Sequence, residues 1–144
     1  MILYVDASAL VKRYIQEPGT REVLAAMAEA AVVGTCIISR VETAAALAKA
    51  VRMGALTSDV ATAALQVFRQ EWPSLVRVQA TELLMARADA LAWEHGLRGY
   101  DAVHLAAALL WQDGMDEAVT FAVYDRKLWQ AAAASGLIPF PKEL

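Results

Sequence analysis

The chain has 144 residues, 58% of them hydrophobic and 20% charged, with one cysteine and a formal net charge of −3. That length suits one domain with a substantial core, and it excludes a disordered chain, which lacks the apolar surface to offset the entropy lost on ordering. The acidic balance gives no electrostatic footprint of a nucleic-acid binder, and the lone Cys36 excludes a disulfide framework and reads as a buried thiol.

The N-terminus runs Met-Ile-Leu-Tyr-Val into Asp6, with no basic stretch and no apolar segment of secretory length, so a cytoplasmic protein is expected. The longest uncharged run, Leu128 to Pro141, is too short for a membrane span and is broken by Gly136, Pro139 and Pro141. Ile2 to Val5 reads as a strand ending at Asp6. Ser8 then precedes Ala9, Leu10, Val11, Tyr14 and Ile15 at helical spacing. Pro18 and Gly19 break that helix, and Thr20 is expected to cap the next, Arg21 to about Ala31. Val32 to Ile38 is continuous and mostly β-branched, as in a strand covered on both faces. Ser39 to Met53 reads as a helix closed by Gly54. Thr57 or Ser58 caps another, which stops before Pro73. Val76 to Gln79 has β character, and Thr81 opens a helix that closes at Gly96. Gly99 and Tyr100 lead into a strongly apolar helix, Asp101 to Gln112, expected to be largely buried. Val119 to Tyr124 is β-rich, Asp125 opens the helix Arg126 to Ala134, and Leu137 to Phe140 can add an edge strand, where Pro139 is tolerated.

Strands alternating with helices predict an α/β fold: three layers, α/β/α, with a small parallel sheet of four or five strands and helices on both faces. No repeat or linker divides residues 1–144, so one domain is expected. In such a sheet the strand-to-helix junctions share one edge, where open α/β folds place ligands. Asp6, Glu42 and Asp125 fall at such junctions; Asp101 does not, because its helix follows another helix. Each acid also has a plain structural role available. Ser39-Arg40-Val41-Glu42 fits a capping box, and Asp6, Asp101 and Asp125 can serve helix N-termini.

Four segments bear on that choice: Val-Asp-Ala-Ser-Ala-Leu-Val-Lys (5–12), Ser-Arg-Val-Glu-Thr-Ala-Ala-Ala-Leu (39–47), Tyr-Asp-Ala-Val-His-Leu-Ala-Ala-Ala-Leu (100–109) and Val-Tyr-Asp-Arg-Lys-Leu (123–128). In order and spacing they resemble the four blocks of the PIN domain, most closely the VapC-type toxins of toxin-antitoxin pairs. The resemblance implies a Mg²⁺- or Mn²⁺-dependent endoribonuclease whose catalytic and metal-holding residues are Asp6, Glu42, Asp101 and Asp125. It implies water as the nucleophile, with 5′-phosphate and 3′-hydroxyl products, an RNA substrate, a cognate antitoxin and a homodimer. Ser8 matches a hydroxyl residue of the first block; Val123 stands where many relatives have Thr or Ser.

The chemistry is consistent with that implication. Packed carboxylates repel unless a cation offsets them, and oxygen-only ligands suit Mg²⁺ or Mn²⁺ rather than zinc. With those four acids set aside, twelve remain against thirteen Lys and Arg, a nearly neutral surface. Arg40, Arg98 and Arg126 lie beside the acids in sequence and, with Ser8 by its motif match, are the candidates to bind substrate. His104 reads as an orienting or core histidine, His95 as a charge partner of a helix C-terminus, and Trp72, Trp93, Trp111 and Trp129 as packing residues. The competing functions are a catalytically silent module of the same fold, a solitary RNA-processing nuclease, and an aspartyl phosphotransfer domain, for which Asp6-Ala7-Ser8 lacks the usual second acid.

Overall fold

The computed structural model describes residues 1–144. In chain order they form β1 (Ile2–Val5), α1 (Ala7–Leu10), α2 (Thr20–Glu29), β2 (Val32–Cys36), α3 (Ser39–Arg52), α4 (Ser58–Glu71), β3 (Val76–Val78), α5 (Glu82–His95), α6 (Gly99–Asp113), β4 (Val119–Ala122), α7 (Arg126–Ala134) and β5 (Ile138–Phe140), with short 3₁₀ segments after α1 and α4. The five strands are ordered β3-β2-β1-β4-β5. Every pairing is parallel, with Leu3 opposite Val33 on one side and Thr120 on the other. No helix is long and apolar enough to cross a membrane.

β1 is the central strand, and its side chains alternate between two cores as the pleat requires. Ile2 and Tyr4 face a core built with Phe121, Leu105 and the inner faces of α5, α6 and α7. Leu3 and Val5 face the other side, toward Leu10, Val23, Phe68 and Trp72. Both faces of β1 are covered, which is why it reads as a continuous apolar run rather than an alternating one. In α6 every residue from Ala102 to Leu109 is buried. Its alanines let the helix lie close to the sheet. Gly34 takes up the tightest approach, since a Cβ there would stand 2.7 Å from the Trp111 ring.

Two expectations are corrected. Thr20 does not cap α2: Gly19 holds the N-cap at φ 93°, and the Thr20 hydroxyl donates to the Ile15 carbonyl instead. The left-handed φ favours glycine, and the Tyr124 ring fills the space a Cβ would need. Trp93 does not pack either; it is 92% exposed, while Trp72 is buried and Trp111 and Trp129 lie against the core. The Asp101 helix begins two residues early, at Gly99.

Thr43, on the buried face of α3, has the only buried side-chain polar atom without a hydrogen-bond partner. Replacing its hydroxyl by a methyl of the same shape removes a desolvation cost with no bond to lose. Thr43→Val is expected to raise stability by about 1 kcal/mol, hence the melting temperature by roughly 3 °C. Thermal melting followed by circular dichroism checks it.

Candidate active site

The parallel sheet ends β1, β2 and β4 at one edge, and the four acids lie along it, reaching it by different routes. Asp6 follows β1 directly. It is 4% exposed, its backbone N–H donates to Ala122 at the end of β4, and its Oδ1 accepts from the Ala9 amide at 2.9 Å, which caps α1. Ser8 Oγ donates to the same Oδ1 at 2.6 Å and accepts from the Tyr124 amide at 3.0 Å. The Ser8 hydroxyl therefore clamps Asp6 between the ends of β1 and β4, with both of its bonds made inside the protein. Asp125 caps α7, accepting from the Leu128 amide at 3.0 Å.

Glu42 and Asp101 have no such duty. The capping box expected at Ser39 to Glu42 does not form: Ile38 is the N-cap of α3, Ser39 Oγ bonds to Thr35 Oγ1, and Glu42 Oε1 lies 2.7 Å from His104 Nε2. Asp101 sits inside the first turn of α6, behind an Arg98 N-cap, and accepts no backbone amide. Its one partner is Arg98, whose Nε donates to Asp101 Oδ2 at 3.4 Å while Nη2 donates to Asp125 Oδ2 at 3.2 Å. A single guanidinium thus bridges acids 24 positions apart in sequence and shows that α6 and α7 begin side by side. With the Arg98 side chain 81% exposed, this bridge is screened and easily displaced.

The charges are costly. Burial, above all, pushes the Asp6 carboxyl up to about 6, with Asp101 adding to the rise and His104, Ser8 and Ala9 opposing it. The Asp101 carboxyl is also raised, by burial and then by Asp125, against the pull of Arg98. Raised carboxyls at one edge mark a site that favours a cation.

No three Asp, Glu, His or Cys side chains close on a common point as a ligand set. Asp101 and Asp125 lean to Arg98, and Glu42 to His104. The donor chemistry nonetheless fits a hard cation. Asp6, Glu42 and Asp101 each keep one carboxylate oxygen outside any protein hydrogen bond. Because only Thr43 carries a sealed, unpartnered polar atom, those free oxygens reach solvent. His104 is not among the donors, since its Nδ1 lies 2.7 Å from the Tyr4 hydroxyl and both ring nitrogens are occupied. Arg40 and Arg126 are exposed and pair with none of the acids. Val123 is buried in the core and adds no polar group.

The PIN domain family model matches residues 3–128. The chain belongs to the PIN domain family. This PIN domain is 34% identical over 143 residues, 99% of its length, to Ribonuclease VapC45 of Mycobacterium tuberculosis, covering 97% of that protein. Its fold is similar to that of a toxin-antitoxin complex from Klebsiella pneumoniae, with a TM-score of 0.67, 18% identity and 99% of each chain covered. FitAcB from Neisseria gonorrhoeae aligns over 100% of both chains with the same TM-score and identity.

In this PIN domain the element order sets Asp101 apart from the other acids. Asp101 reaches the edge through the tight turn between α5 and α6, with no strand in front of it. Tyr4 was not among the candidate residues, because a tyrosine inside Met-Ile-Leu-Tyr-Val reads as one more strand residue; its place two positions before Asp6 was the available signal.

Proposed function

We propose that this PIN domain is a divalent-metal-dependent endoribonuclease acting as the toxin of a toxin-antitoxin pair. The observation that carries the reading is that Glu42 and Asp101 stand at the acid edge with no capping role. A silent module that kept its acids as helix caps gives no reason for either. Asp6, Glu42, Asp101 and Asp125 would hold Mg²⁺ or Mn²⁺. Bound there, the ion supplies positive charge to the phosphoryl transition state and acidifies water. Water adds to phosphorus as the bond to the 3′ oxygen breaks, leaving a 5′-phosphate and a 3′-hydroxyl. Ser8 keeps Asp6 in place from below. Arg98, already paired with two acids, is positioned to exchange them for a substrate phosphate, and Arg40 and Arg126 flank the same edge on α3 and α7.

The 34% identity to a protein named as a ribonuclease supports the activity, and the likeness to a toxin-antitoxin complex supports an antitoxin partner. The Arg98 bridge shows that a guanidinium fits between Asp101 and Asp125, so a basic antitoxin side chain could displace the metal's charge there. Residues 1–144 would act as one domain, since β5, beyond the matched segment, completes the sheet, and an RNA substrate would put its action in the cytoplasm. A homodimer is part of the reading: exposed Leu83, Trp93 and Tyr100 lie on α5 and α6, and covering them would remove apolar surface from water.

The test is cleavage of single-stranded RNA by the purified protein with Mn²⁺, with Mg²⁺, and with excess chelator. Cleavage that requires the ion and leaves 5′-phosphate ends is expected; equal cleavage in chelator, or none under any condition, refutes the metal-dependent reading. Light scattering should give about twice the 15.6 kDa chain mass, and a mass near 15.6 kDa at micromolar concentration overturns the dimer.

A further inference from the structure

One line of hydrogen bonds runs from the core to the acid edge through side chains of β1, α6 and α3. The Tyr4 hydroxyl lies 2.7 Å from His104 Nδ1, and His104 Nε2 lies 2.7 Å from Glu42 Oε1. Tyr4 is fully buried, its ring stacked on Phe121 at 5.2 Å and set edge-on to His104. Phenol and imidazole are costly in an alanine-rich interior unless every polar atom is bonded, and apolar residues would fill the same space without that cost. The chain of bonds is complete, yet no role assigned above uses its inner end.

The direction of the bonds follows from what each group can do. An ionised Glu42 only accepts, so His104 Nε2 must carry a hydrogen. With that hydrogen on Nε2, Nδ1 presents only a lone pair, so the Tyr4 hydroxyl supplies the proton across the 2.7 Å contact. That proton has His104 Nδ1 as its partner, and the ring lone pair there accepts it.

We propose that Tyr4 is a positioning residue: by donating to Nδ1 it fixes His104 as the Nε2–H tautomer, which holds Glu42 by Oε1 and leaves Oε2 for a cation. The inference rests on reading the acid edge as a divalent-cation site. Partners that orient a ligand from behind in this way typically account for about tenfold or more in metal affinity.

The experiment uses the whole chain, with ¹⁵N-labelled histidine and Mn²⁺ binding followed by electron paramagnetic resonance of the free ion. Metal-free wild type should show His104 protonated at Nε2 and bare at Nδ1. Tyr4→Phe keeps the ring and its stack, and is expected to lose that single tautomer and weaken Mn²⁺ binding about tenfold. His104→Gln retains an N–H for Glu42. Adding Tyr4→Phe to it should then change Mn²⁺ affinity by less than twofold, because the two residues act through one path. A bare Nε2 in wild type overturns the proposal, whether or not the variants fold. So does Mn²⁺ binding by Tyr4→Phe within twofold of wild type, or an undiminished tenfold loss in the His104→Gln background. Wild type that binds no Mn²⁺ would sink the cation site itself, while the ¹⁵N spectrum still reports separately on the tautomer.

Discussion

Asp101→Asn is expected to slow RNA cleavage about a hundredfold while leaving the protein at least as stable as wild type. The two halves come from different parts of the geometry. Asp101 accepts no backbone amide and caps no helix, so its charge has no local structural task beyond an exposed pair with Arg98. Burial and Asp125 both oppose that charge, and the amide relieves both. Where the carboxyl is raised in the folded state, the ionised form is destabilising at neutral pH, so its removal shifts melting upward or not at all. Activity follows the opposite course. Loss of one charged ligand is worth roughly 3 kcal/mol of transition-state stabilisation, about a hundredfold in rate at 1.36 kcal/mol per factor of ten. Thermal melting with and without Mn²⁺, paired with RNA cleavage, reads both halves. A variant that melts several degrees lower, gains the wild-type increment from Mn²⁺ and cleaves at near wild-type rate would reduce Asp101 to a partner of Arg98.

The fold was legible because its signals are local and repeated. Ile2 to Val5 and Val32 to Ile38 read as continuous strands and Val119 to Tyr124 is β-rich, each followed by a helix start, and that alternation dictates parallel strands covered on both sides. Gly54, Thr57, Thr81 and Gly96 closed or opened helices where expected. Local pattern went astray where a distant group decides the outcome. Ser39 and Glu42 have the spacing of a capping box, but Thr35 and His104 offer better-placed partners from other elements. Thr20 precedes a helix as caps do, but the Tyr124 ring requires glycine beside it. Trp93 has the composition of a core residue and an outward place on α5, and helical spacing alone does not reveal which face is covered.

The site divides in the same way. Asp6 and Asp125 follow strands, so the sheet rule places them, yet both also cap helices and their positions alone do not separate ligand from cap. Asp101 and Glu42 discriminate between the two roles, and their evidence is non-local: a bridge from Arg98 to Asp125, and a histidine 62 positions away. The motif resemblance pointed to all four acids because a family pattern carries long-range proximity that spacing in one sequence does not.

The pH dependence of stability should carry the signature of Asp6. Its ordinary value is 3.8, and the folded protein raises it to about 6. Between those values the folded state holds a proton that the unfolded chain has released, so stability falls as pH rises through that window, and the loss is complete above about 6. Two units correspond to on the order of 3 kcal/mol, or roughly 5–10 °C in melting temperature for a chain of this size. A divalent ion reverses the trend. It binds the ionised carboxylate, so Mn²⁺ affinity should drop about tenfold per unit as pH falls below 6, for one proton displaced. Asp6→Asn isolates the effect, because an amide oxygen still accepts from Ala9 and Ser8 while the titrating group is gone. Melting curves of wild type and Asp6→Asn, taken without metal from pH 4 to pH 7.5, should draw apart as pH rises, with the variant the more stable at the upper end. Adding Mn²⁺ at pH 7.5 should close that gap by stabilising wild type alone. Two profiles that stay parallel across the range, with equal gains from Mn²⁺, would mean that Asp6 is ionised at no cost and contributes nothing to a cation site.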